Sequence, residues 1–261
     1  MRARVQRRLQ MRRPAWLLVF LLQIFFWPAA AQQSVEERLS SDRVGYIEPG
    51  KYVAGDDVQF SLDPAGSNYL LRLDDSPEIF VLYQDRAALG GRVLKFDSGE
   101  TALKVAGWGG VTLYTHAAPQ GLPAERTGNS APPQLLPVSI GDLQSAATDE
   151  GQHLFYTRRL SIAFTANWNS LAQDGNARIF ALDAMENAER GLDRFAASLA
   201  ARETLMHRVD TLALAMSNRP SVRLNGKTLI VSFDPGRGYI GRASSRAIAR
   251  GLAKVLSAKP G

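Results

Sequence analysis

The chain has 261 residues, 45% of them hydrophobic, with 31 basic side chains against 25 acidic ones and no cysteine, enough for one large domain or two small ones. The missing cysteine excludes disulfides, a thiol nucleophile, a thiolate metal site and a lipid-modified cysteine anchor. Six basic residues, Arg2, Arg4, Arg7, Arg8, Arg12 and Arg13, stand at the very N-terminus, and without them 25 basic face 25 acidic residues. The excess positive charge is therefore no argument for nucleic-acid binding.

The first segment combines that basic stretch with the apolar run AWLLVFLLQIFFW and the small residues Ala29 and Ala31. Together they spell a signal peptide over residues 1–31, with Gln32 as the mature start and a product in the periplasm or outside the cell. The other reading is a retained signal anchor, which the run disfavours by falling short of the about 20 residues of a spanning helix. No later segment approaches that length.

Residues 44–116 form a run of short apolar pieces about ten residues apart, separated by DPAGS, DDSPE, DSGE and AGWGG. Alternation at Val58, Phe60 and Leu62 and at Leu94 and Phe96 predicts successive antiparallel strands closing into a barrel or sandwich. Asp74, Asp75 and Glu78 lie close together in LDDSPE. Paired carboxylates can hydrolyse glycosidic bonds, but Asp-Asp-Ser-Pro is turn chemistry between two strands. Trp108 stands among glycines in GWGG, either covering the barrel end or exposed as a platform that stacks on a sugar or peptide.

The segment 117–137 contains five prolines and no apolar period, so it reads as a linker or long exposed loop. Residues 138–261 mix periods. LSIAFTANW alternates as a strand, whereas Ile179, Leu182, Met185, Leu192, Phe195 and Leu199 mark one helical face. Glu186 and Arg190 lie four apart and can pair. VDTLALAM, SVRLNG and KTLIVSF read as strands, the last two joined at Asn225-Gly226 as a hairpin. The fold class is thus α+β: an N-terminal antiparallel β barrel or sandwich followed by a smaller α+β portion.

Gly236, Gly238 and Gly241 form a G-x-G-x-x-G pattern between a strand and a helix capped by Ser244. The residues after Gly241 spell one helix with neither a second strand nor an Asp or Glu, so no dinucleotide unit is expected, and no P-loop lysine follows. Arg237, Arg242, Ser244, Ser245 and Arg246 would instead suit a small anion, because free amides and the helix dipole both favour negative charge. Arg242, Arg246, Arg250 and Lys254 recur every four residues opposite the apolar face of Ala247, Ile248, Leu252, Val255 and Leu256. This stripe is a solvated face, a dock for the chain's own acidic β domain, or a dock for an anionic envelope component.

His116, His153 and His207 are the only histidines, and none has a familiar metal-binding spacing, so no metal and no cofactor are expected. Neither G-x-S-x-G nor S-x-x-K occurs, and the catalytic residues stay unassigned.

FSLDPAG, YLLRLDDSPEIFVL, LKFDSGETALKV, GGVTLYT, PQGLPA and GYIGRASSRAIARGL resemble an uncharacterised family of exported alphaproteobacterial proteins, a domain of unknown function. The resemblance implies export and a β-rich first half, and it brings no activity, ligand or functional residue. The expected function is a non-enzymatic periplasmic binding or structural envelope protein. Its partner would be an anionic envelope component or small anion, with no nucleic acid and no membrane span after cleavage. The competing expectation is a periplasmic hydrolase of wall glycan or peptide built on Asp74, Asp75, Glu78 or the Ser244 region.

Overall fold

The computed structural model describes residues 46–257; the signal peptide expected over 1–31 lies outside them. Eight antiparallel strands come first: β1 (Gly50–Ala54), β2 (Val58–Ala65), β3 (Asn68–Leu73), β4 (Ile79–Arg86), β5 (Arg92–Phe96), β6 (Thr101–Val105), β7 (Val111–Leu113) and β8 (Leu122–Gly128). Each pairs with its sequence neighbour, and β8 returns to β1, closing a barrel. Closure decides between the barrel and the sandwich of the sequence reading, and it removes the free strand edges a sandwich keeps.

The alternation that predicted the strands fills the barrel. Tyr52, Phe60, Leu62, Leu71, Phe80, Leu82, Leu94, Phe96, Leu103 and Leu113 form one buried cluster, so the interior is a packed core with no lumen. Tyr52 stacks on Phe60 at 5.1 Å, and Phe80 meets Phe96 edge-on at 5.2 Å.

The eighth strand lies inside the 117–137 segment read as a linker. Pro123 costs it only one donor, and its polar outward side chains hide the period of two. It pairs with both β7 and β1, Ala124 standing opposite Val111 and Ala54. Beyond it the chain is still tied down: Ser130 Oγ donates to Asp63, and Arg178 Nε donates to the Val138 carbonyl at 2.7 Å.

The second half comprises α1 (Ile140–Arg158), β9 (Ala163–Ala166), α2 (Trp168–Ala172), α3 (Gly175–Phe195), α4 (Leu199–Arg208), β10 (Thr211–Met216), β11 (Ser221–Asn225), β12 (Thr228–Phe233) and α5 (Ser245–Ser257). The sheet order is β11-β12-β10-β9. Strand β10 is parallel to β9 and β12, while β11 and β12 form the predicted hairpin with Gly226 at φ +59°. Helices α1, α3 and α5 cover the sheet face built from Phe164, Leu212, Leu214, Leu229 and Val231.

Helix α3 is central. Its buried side turns on Phe180, Ala181, Ala184, Met185, Ala188 and Leu192. Leu199 does not share that face: the helix ends at Ala196, Ser198 caps a new one, and Leu199 is exposed. Gly191 lets α5 approach closely, since a Cβ there would stand 2.6 Å from Ile248 Cγ2. Helix α1 has no counterpart in the sequence reading. A Ser139–Asp142 capping box starts it, but only Leu143, Ala147 and Leu154 of its residues are buried, too sparse for a clear helical period. Barrel and α+β layer belong to one compact unit. No helix among the described residues is long and apolar enough to cross a membrane.

Candidate functional site

Connections of an up-and-down barrel alternate between its two rims, so the chain has two distinct ends to offer. The β3–β4 and β5–β6 connections, with Glu78 and with Asp97 to Glu100, share one rim. The β4–β5 and β6–β7 connections, with Leu89 and Trp108, share the other.

The first rim meets the N-terminus of α5. Ser244 caps that helix, its Oγ accepting from the Ala247 amide at 3.2 Å. Asp97 Oδ2 accepts from the Ser244 amide at 2.7 Å, and Glu78 Oε1 accepts from the Ser245 amide at 2.7 Å. Both serine hydroxyls donate to the same two carboxylates. The amides and hydroxyls that suit an anion therefore hold two anions of the chain's own barrel, where the helix dipole favours negative charge.

Arg242 is 2% exposed. It donates to the Ile79 carbonyl, ion-pairs with Asp183 and stacks on Tyr239 at 5.3 Å. Burial pulls its pKa down to about 10, against the opposing pull of Glu78, Asp97 and Tyr83, so the guanidinium stays charged at neutral pH. Arg246 pairs with Glu100 at 2.6 Å and lies over the Phe96 ring at 4.3 Å, and Arg250 donates to the Ser98 carbonyl. Three members of the arginine stripe thus face the barrel, while Lys254 and Arg237 are exposed. Beside this junction a groove of about 430 Å³ is lined by Lys104, Tyr114, His116 and Arg246.

The glycines of G-x-G-x-x-G serve this packing. A Cβ on Gly241 would overlap the Asp234 carbonyl, and Gly238 turns at φ +57° against Phe180. The acidic trio separates: Asp74 and Asp75 are exposed in the turn, whereas Glu78 is 1% exposed. Asp97, Asp183 and Arg194 complete the junction without having been singled out. Their signal is purely spatial, because Asp97 and Ser244 lie 147 residues apart.

At the opposite rim Leu89 is 87% exposed and Trp108 83% exposed. Their loops touch, since a Cβ on Gly107 would overlap the Leu89 carbonyl. Leu89 holds φ +57°, unusual for a branched side chain. Arg86 and Arg92 are cross-strand partners beside them, and Arg92 in turn pairs with Val105, next to the Trp108 loop. Of the two readings of Trp108, the indole is the exposed one.

The chain belongs to a family described only as a domain of unknown function (DUF4908), whose model matches residues 32–252. No curated protein and no solved structure matches it.

Proposed function

We propose that the protein is an exported, non-enzymatic binding protein of the cell envelope, and that its ligand is a carboxylate-bearing wall glycan. The binding surface is the rim of Leu89, Trp108, Arg86 and Arg92. The observation that carries this reading is the exposed indole beside a cross-strand arginine pair, at the barrel end away from the α+β layer.

An exposed indole offers an apolar plate to the face of a sugar ring, and its contribution is about 1 kcal/mol. Arginine binds carboxylates in a planar fork. At this rim the closed barrel offers no free strand edge on which an extended peptide could pair, which favours a glycan over a peptide. The packed barrel interior leaves no lumen for a small ligand. The non-enzymatic part draws support from Glu78, Ser244 and Ser245, whose polar groups are engaged with one another and with Asp97. Export rests on the basic and apolar leader of the sequence.

Co-sedimentation with isolated, protein-free wall sacculi tests the reading. The wild-type chain pellets with them and is released by salt, as exposed charges are screened. Trp108→Ala weakens binding about fivefold, and Arg86→Ala with Arg92→Ala removes the salt dependence. Equal pelleting of all variants, or none by the wild type, overturns it. N-terminal sequencing of the native protein tests export: a start at Gln32 is expected, a start at Met1 in the cytosol is fatal.

A further inference from the structure

Away from both rims, the interface of α1 and α3 holds a cluster of three donor side chains from two helices. Glu150 and His153 are three residues apart on α1, a spacing that puts both on one face of a helix. Glu189 projects from the facing helix α3. One ligand atom from each residue can be chosen so that all lie within 4.8 Å of one another, and His153 Nδ1 is 2.8 Å from Glu189 Oε1.

We infer that Glu150, His153 and Glu189 form a binding site for a divalent transition-metal ion, with Zn²⁺ the best match to two carboxylates and an imidazole. Tetrahedral zinc with bonds of about 2.0–2.1 Å needs ligand atoms about 3.4 Å apart. Separations of 2.8 to 4.8 Å bracket that distance, so side-chain rotation closes the site without moving either helix. The buried Glu189, its side chain 6% exposed, forms the floor, and His153, 57% exposed, forms the solvent side. On the His153 side a water could supply a further ligand. A Glu-x-x-His turn answered by a carboxylate on a facing helix is a ligand arrangement that some helical bundles use to hold metal ions.

A His153–Glu189 ion pair alone accounts for two of the three groups and leaves the third unexplained. Among the described residues Glu150 has no hydrogen-bond partner, although it is half-buried beside Glu189 and Glu186. The nearby arginines have partners of their own: Arg190 pairs with Glu186 and Arg158 with Asp193. With His153 neutral, the form in which it ligates a metal, four carboxylates against two guanidiniums leave two negative charges, which one divalent ion neutralises.

The test uses the purified full chain, stripped with chelator and titrated with zinc chloride alone, read by calorimetry and by melting temperature. The wild type binds one equivalent and melts higher, and magnesium has no such effect. Glu150→Gln keeps the shape of the site, melts higher than the wild type without metal, and loses zinc affinity by at least about tenfold. His153→Ala loses it likewise, while His116→Ala and His207→Ala bind as the wild type. Absence of zinc binding by the wild type, or affinities of Glu150→Gln and His153→Ala within about twofold of it, overturns the assignment.

Discussion

The backbone amide of Ser245 donates to the carboxylate of Glu78 across a sequence separation of 167 residues, at 2.7 Å and in a fully buried setting. Glu78 therefore acts as an N-terminal counter-charge for α5 supplied from the barrel, with Arg194 Nη2 4.0 Å away. Removing the carboxylate strands two donors of Ser245 and takes away one of the anions near Arg242, which keeps its pair with Asp183. Glu78→Ala should cost about 3 kcal/mol, whereas the exposed neighbour Asp75→Ala stays within about 0.5 kcal/mol, both read by urea denaturation. Equal losses at the two positions contradict the arrangement.

Gly191 marks the closest approach of α3 and α5. Gly191→Ala should destabilise by about 1–3 kcal/mol, because the added methyl meets Ile248. Pairing it with Ile248→Ala should recover part of that loss, so a double-mutant cycle shows coupling of about 1 kcal/mol; strict additivity would mean the helices adjust elsewhere.

Glu150 makes stability depend on pH in a fixed direction. Its carboxyl is raised from 4.5 to about 7 in the folded chain, so the folded state holds a proton that the unfolded state releases. Below pH 4.5 both states are protonated and Glu150 costs nothing. The cost grows between pH 4.5 and 7 and is complete above 7. With solvent screening it is on the order of 1–2 kcal/mol. Glu150→Gln should therefore gain that much at pH 8 and nothing at pH 4, measured on the metal-free chain; a gain that is flat with pH is the contrary result. Glu189, raised mainly by burial and opposed by His153, adds to the same trend.

Trp108 separates binding from folding. With the side chain exposed, Trp108→Ala should shift the unfolding midpoint by no more than about 0.5 kcal/mol, even as sacculus binding falls. A large loss of stability would mean that the indole closes the barrel after all.

Strands β2 to β7 were legible because short apolar pieces recur about every ten residues, with alternation at Val58, Phe60 and Leu62 and at Leu94 and Phe96, between turn residues such as Asp74-Asp75 and Ala106-Gly107. Strand β8 escaped notice because LPAERTG shows no such alternation, and it becomes a strand only because β1 and β7 both offer it an edge. Helix α1 was hidden for a related reason, since three buried residues in nineteen leave little periodicity to read. At the junction, the serines and arginines were visible as a place for negative charge. Which charge would fill it depended on the barrel's register, and no local pattern encodes that. The Glu150-x-x-His153 pair was written in DEGQH, but it gains meaning only once α1 exists and Glu189 faces it.

Making the chain from its N-terminus imposes an order on these contacts. Asp63, Glu78 and Asp97 emerge early, yet Glu78 and Asp97 meet their amide partners only when residues 244 and 245 have followed. One rim of the first half therefore keeps two carboxylates without their donors while the second half is still being delivered. Burial of that rim waits for α5, and a truncation just before it would leave two acidic groups uncovered and the sheet partner of α5 exposed to proteases and aggregation.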